Sequence, residues 1–305
     1  MKNRRHDRRD TYSSLRILGQ QRAAARQHAA QQYRVVIADD PDTWSDDGRP
    51  LGLLELSPPE RLAAFERLTE GDVRLVVICG HRQSTPVQRE AAIARSMLES
   101  RVAVVPVPGG PLGQHALAQI AEQSLTVVGR PGTVVVELLP QLASEILDIG
   151  LVQSVTSLDI AGIGLRHHLA SYLPGRRLFG IQLTPHPFVA VVGRERLRPT
   201  AAKAIARPDF GATELQMLIA GPHPVPAALE QHLAVAGPVQ VVQAELGLAR
   251  YWHDAQATEL VVVPADPIEW LVQNAPAQTG SPCGWCSEPL AFDATSCVFC
   301  GHTTR

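Results

Sequence analysis

Four of the five cysteines in this 305-residue chain fall in one short stretch, as Cys283-Gly284-Trp285-Cys286 and, ten residues on, Cys297-Val298-Phe299-Cys300. A Cys-x-x-Cys turn sets two sulfurs on one side of a tight loop, and two such loops close a tetrahedron that suits Zn²⁺. All four ligands are thiolates, so no position is open to water and the implied zinc is structural. Such a site supplies on the order of 10 kcal/mol of folding energy, enough to hold a module too small for a core of its own. Cys79 stands apart in an apolar run and reads as a small core residue rather than a reactive thiol. This cysteine usage, with no leader-like stretch at the start, implies a cytoplasmic protein.

Pro289-Leu290, Asp293-Ala294 and Gly301 complete a pattern over residues 283–301. It resembles the short four-cysteine zinc ribbons carried at one end of many bacterial proteins. Ser287 departs from it, standing where such ribbons have glycine. The resemblance stops at the ribbon and implies nothing for the rest of the chain.

The rest reads as an α/β body. The chain is 45% hydrophobic but only 5% aromatic, and its many Val, Ala and Leu suit buried strands alternating with Ala-rich helices. Apolar runs at 33–38, 74–79, 102–107, 178–183, 188–192, 215–220, 239–243 and 259–263 read as strands. Residues 125–128 and 133–138 read as a further hairpin, 139–149 as a helix and 152–158 as a strand. Ser57 followed by Pro58 and Glu60 is a capping box that opens a helix. The strand–helix alternation of 74–128 recurs over 215–263. The expected fold is therefore α/β, with mostly parallel, doubly wound sheets in two pseudo-repeated halves. A basic N-terminal helix and the C-terminal ribbon complete it. The expected units are a basic arm at 1–32, α/β units at 33–138 and 139–272, a linker at 273–282 and the ribbon at 283–305. No apolar run approaches the roughly 18 residues of a membrane span.

Charge is unevenly placed. Residues 1–34 hold nine Lys and Arg against two Asp, while the remainder is net acidic. Such an arm can neutralise phosphates, which points to nucleic acid as a partner through residues 1–34. The ribbon has the wrong sign for that task, with Glu288, Asp293 and the zinc–thiolate core. Its Trp285, Phe292 and Phe299 instead suggest a small core and a face for a protein partner. The favoured reading is a zinc-binding adaptor within a larger cytoplasmic assembly, associated with nucleic acid through its arm.

The alternative is an enzyme for a small-molecule or phosphate ligand, with its site at the carboxyl ends of strands. His81, His186 and His223 each follow an apolar strand within two or three residues, where ligands of open α/β sheets bind. The Asp39–Asp42 turn follows the first strand, and Asp40 and Asp42 are its candidate acids. Gly109-Gly110 precede a helix and offer backbone N–H groups to an anion, although the turn lacks the Lys-Ser/Thr of a P-loop.

Overall fold

The computed structural model of the protein describes residues 33–44, 51–71, 73–126, 131–158, 160, 163–172, 178–192, 205, 208–211, 214–235, 237–244, 246–276, 279–291 and 294–303. The expected arm helix lies outside them.

Three parallel strands, β1 (Tyr33–Ile37), β2 (Arg74–Gly80) and β3 (Arg101–Val107), form the first sheet in that order. Leu75 through Cys79 are all fully buried, because helices cover both faces and a central strand then needs no polar alternation. On one face Leu75, Val77 and Cys79 pack with Trp44 of the short helix α1 (Pro41–Trp44), Phe65 of α2 (Pro58–Leu68) and Ala91 of α3 (Ser84–Leu98). The capping box at α2 forms as its spacing predicts: the Ser57 amide donates to Glu60 Oε2 at 2.7 Å.

The other face carries Val76, Ile78 and Val105 against α4 (Pro111–Leu125). This helix lies between the two sheets, touching β1 and β2 on one side and the second sheet on the other. That position explains why even Gln114 and Ser124 are buried on it. α5 (Gly132–Glu145) follows, beside α4. Residues 133–138 are thus helical rather than half of a hairpin. Their β-branched run is a strand former by propensity, but burial against α4 and β3 overrides it. Gly132 is required there, since a Cβ would lie 2.5 Å from the Tyr33 ring.

β4 (Leu147–Val152) starts earlier than the apolar pattern predicts and is buried throughout. After α6 (Leu165–Tyr172) come β5 (Leu178–Thr184), β6 (Phe188–Val192), β7 (Leu215–Ala220), α7 (Ala227–Leu233), β8 (Val239–Val241), α8 (Leu248–Trp252), β9 (Thr258–Pro264) and α9 (Pro267–Asn274). The six strands of this part are ordered β6-β5-β4-β9-β7-β8. The α/β class with parallel strands holds, and β7-α7-β8 is a parallel unit like β2-α3-β3. The central pairings β5–β4, β4–β9 and β9–β7 are antiparallel, a direction that a list of apolar runs does not carry.

The ribbon consists of β10 (Thr279–Pro282), β11 (Pro289–Ala291) and the two knuckles, β10 and β11 pairing antiparallel. It packs on the amino ends of β1–β3. Phe299 is fully buried, its ring 6.0 Å from Tyr33, and its carbonyl accepts from the Val102 amide at 3.1 Å. Glu288, 2% exposed, is ion-paired to Arg74 and accepts from the Tyr33 hydroxyl at 3.3 Å. Burial, then the Glu288 charge, pushes the Tyr33 phenol up to about 12. Of the three ribbon aromatics expected to form a core and a docking face, Phe299 is covered by the chain's own body and Phe292 lies outside the described residues. Trp285, 70% exposed, lies outside that contact.

Candidate functional site

Two places in the structure concentrate chemistry. The first is the cysteine cluster, where the four Sγ atoms of Cys283, Cys286, Cys297 and Cys300 lie within 4.8 Å of one another. Cys283 to Cys300 and Cys286 to Cys297 are each 3.6 Å apart. A disulfide needs about 2.05 Å. Thiolates on a tetrahedral zinc with Zn–S near 2.3 Å sit about 3.8 Å apart. The donor set and its spacing fit one metal ion.

The second place is the carboxyl end of the parallel sheet. Asp39, just past β1, accepts from Gln83 Nε2 with both carboxylate oxygens at 2.7 Å. Asp40 turns back on its own chain, accepting from the Asp42 amide at 3.1 Å and the Thr43 hydroxyl at 2.7 Å, so it caps α1. Asp42 is exposed in that first turn. His81 is exposed at the end of β2. His115, on α4, has its pKa lowered by burial, against the pull of Asp40. α8 comes over from the second half. Its Arg250 is ion-paired to Glu55, and its Tyr251 lies within electrostatic reach of Asp39 and Arg82.

The buried residues beneath these strand ends were not legible as a site. Gly109 and Gly110 lead into a helix whose first amides donate to two carboxyl groups of the chain itself. The Gly110 amide donates to Asp148 Oδ2 at 2.7 Å. The Leu112 and Gly113 amides donate to Glu259 Oε1 at 2.9 and 3.2 Å, and Trp252 Nε1 donates to Glu259 Oε2 at 2.9 Å. Both carboxyls are fully buried. A Cβ on Gly109, Gly110 or Gly113 would stand 2.8, 2.7 or 2.3 Å from these oxygens, so the glycines are there to admit the acids. Burial pushes Asp148 up to about 7, against the Gly110 hydrogen bond. Burial and the neighbouring Asp148 push Glu259 well above its ordinary range. The pair therefore retains a proton near neutral pH. One signal was available: an Asp and a Glu inside the apolar runs Leu147–Val152 and Thr258–Pro264.

The three histidines do not meet. β5 and β7 run in opposite directions through their shared neighbours, so His186 and His223 leave opposite ends of the six-stranded sheet. Both are exposed, and His81 belongs to the other sheet. Cys79 is fully buried, and burial followed by the Asp39 charge pushes its thiol up to about 12. It is expected to resist thiol reagents in the native protein; rapid labelling would contradict this placement.

No family model matches the chain, and no curated protein matches it. Solved structures do. A DegV family protein from Corynebacterium glutamicum superposes at a TM-score of 0.50 with 16% identity, over 78% of this chain and 98% of that one. A DegV family protein from Ruminococcus gnavus, refined with vaccenic acid, superposes at 0.50 with 15% identity, over 76% of this chain and 100% of that one. The body shares the DegV fold. This corrects the adaptor reading and its two partners. The solved structure from Ruminococcus gnavus was refined with vaccenic acid. The aromatic Phe299 and the acid Glu288 of the ribbon are taken up by Tyr33, Arg74 and Val102. Of residues 1–34, which carried the nucleic-acid expectation, 1–32 lie outside the described residues. Among the described residues no helix is long and apolar enough to cross a membrane.

Proposed function

We propose that this chain is a small-molecule-binding protein whose ligand lies at the carboxyl ends of β1–β3. The observation that carries this is the convergence there of both halves: Asp39 and Gln83 from one side, Tyr251 and Trp252 from the other, over the buried Asp148–Glu259 pair. Polar groups gathered at strand ends between two packed units are where open α/β folds bind ligands. The vaccenic acid of the Ruminococcus structure sets the class to test first, an amphipathic molecule with a long apolar chain. The sequence's second reading supports this in outline, in its place at the strand ends.

The test is extraction of the purified protein with organic solvent, mass spectrometry of the extract, and titration with a fluorescent long-chain probe. A co-purifying amphiphile and saturable binding are expected, with Tyr251→Ala weakening the probe about tenfold, equivalent to about 1.4 kcal/mol. A folded protein that yields no such molecule and binds no probe refutes the reading.

Zinc is the metal we assign to the four cysteines, as a structural ion, since a closed four-thiolate shell offers no place for water or substrate. Thiolates kept for a metal suit a reducing compartment such as the cytoplasm. Elemental analysis is expected to give about one zinc per chain, and its absence from freshly purified protein would refute the assignment.

A further inference from the structure

The ribbon turns two negative centres toward the body. The first is Glu288, ion-paired to Arg74. The second is the cysteine cluster, since four thiolates around one Zn²⁺ leave a net charge of about −2. Backbone amides temper it: those of Trp285 and Cys286 donate to the Cys283 sulfur, that of Glu288 to Cys286 and that of His302 to Cys300. Amides carry no net charge, so they spread the negative charge without cancelling it. Arg95 reaches the same place from the body. A basic residue in the last turn of a helix ordinarily turns to that helix's own carbonyls. Arg95, in the last turn of α3, instead donates from Nε to the Val102 carbonyl of β3 at 2.8 Å. Val102 is also the residue whose amide donates to Phe299, within the second knuckle. The guanidinium is thereby held beside that knuckle: a Cβ on Gly301, next to Cys300, would stand 3.6 Å from Arg95 Nη1. Cys300 and Cys297 lie within electrostatic reach of it. Among the described residues Arg95 forms no ion pair with an Asp or Glu. A half-buried cation is stabilised by an anion beside it, and the zinc–thiolate centre is one.

We infer that Arg95 is the counter-charge of the zinc–thiolate centre, and that its positive charge tightens the chain's hold on the metal. This rests on the zinc assignment above. Groups outside the ligand shell orient the ligands and tune the metal, and their loss costs about 10–100-fold in affinity. Arg95 does so from α3, so the body that the ribbon packs on also completes the ribbon's metal centre. The bond to Val102 sets where the guanidinium sits; the charge is what acts on the sulfurs.

The experiment is competition of the full chain for Zn²⁺ against a chromophoric chelator, with Co²⁺ absorbance as a second reading of the thiolate shell. Arg95→Gln removes the charge but keeps an N–H donor. It is expected to weaken Zn²⁺ about 10–100-fold and to quicken its release to excess chelator. Arg95→Lys keeps the charge and loses the planar fork. It is expected to recover most of that affinity, which a role in packing or in the Val102 bond alone would not allow. Arg95→Met, which keeps the apolar stem without the charge, takes the place of Arg95→Gln if that variant does not fold. Equal losses in the lysine and neutral variants would mean that shape rather than charge matters, and would overturn the inference. Zinc affinity unchanged in every variant would overturn it too. Both outcomes leave the zinc assignment intact. A wild-type chain that binds neither Zn²⁺ nor Co²⁺ overturns the assignment and the inference together.

Discussion

Removing zinc, or replacing Cys286 with serine, is expected to unfold more than the ribbon. The ribbon is built into the amino-terminal edge of the parallel sheet: Phe299 fills space beside Tyr33 and its carbonyl satisfies the Val102 amide of β3. Glu288 neutralises Arg74, whose side chain is only 15% exposed. Once the knuckles open, a large core aromatic leaves, a loss of about 3–5 kcal/mol by analogy with Phe→Ala changes. Arg74 also loses its carboxylate partner, a change that costs about 3–5 kcal/mol where the remaining charge stays fully buried; relaxation toward water lowers both figures. A net loss of about 5 kcal/mol lowers the melting temperature by about 10 °C or more in a chain of this size. The measurement is thermal unfolding with and without a chelator, together with hydrogen exchange at the Val102 amide. That amide should lose protection when zinc is removed. A melting temperature and Val102 protection that survive chelation would show that the ribbon is an independent appendage. Glu288→Gln separates the two contributions, since it leaves the cysteines and Phe299 in place and weakens only the contacts of the Glu288 carboxylate with Arg74 and Tyr33.

That expectation could not be drawn from the residues alone, and the reason shows what the chain discloses and what it withholds. The Cys-x-x-Cys spacing reports a local constraint, and the structure brings those four sulfurs together. The capping box at Ser57 and the apolar runs of β1, β2 and β3 are local too, and they form where the residues place them. The Arg74–Glu288 contact joins positions 214 residues apart, and nothing near either residue announces the other. Strand direction is equally non-local, so the shared crevice expected of the three histidines fails on the antiparallel order that sends His186 and His223 apart. Gly109-Gly110 read as a turn that could hold an anion, but the groups its helix meets, the carboxyls of Asp148 and Glu259, sit at 38 and 147 positions from the amides they accept from. An acid within an apolar strand was the available signal. It gains meaning only beside the helix end that it meets.

The buried pair makes the protein's stability depend on pH in a direction opposite to that of an ordinary salt-bridged acid. Asp148 rises from an ordinary 3.8 to about 7 in the folded state, with burial as the main cause. Between those values the folded chain holds a proton at Asp148 that the unfolded chain has released. The contribution to stability is therefore complete below about pH 4 and declines as pH rises towards 7, where it levels off. A rise of this size corresponds to about 4 kcal/mol, an upper figure because Glu259 shares the proton and takes part of the change. Glu55 acts in the other direction, its pKa lowered first by its bond to Arg250, but that pair is largely exposed and contributes little. The comparison that isolates Asp148 is the difference in unfolding free energy between Asp148→Asn and the wild type, measured by denaturant titration from pH 4 to pH 8. Asparagine mimics the protonated acid at every pH. The variant is expected to gain on the wild type steadily as pH rises, by at least about 2 kcal/mol across the window. A difference that stays flat would mean that Asp148 titrates normally in the folded protein, with water or a cation reaching its free oxygen. A difference of the opposite slope would mean that the folded state holds Asp148 ionised, stabilised by the α4 amides more strongly than burial opposes it.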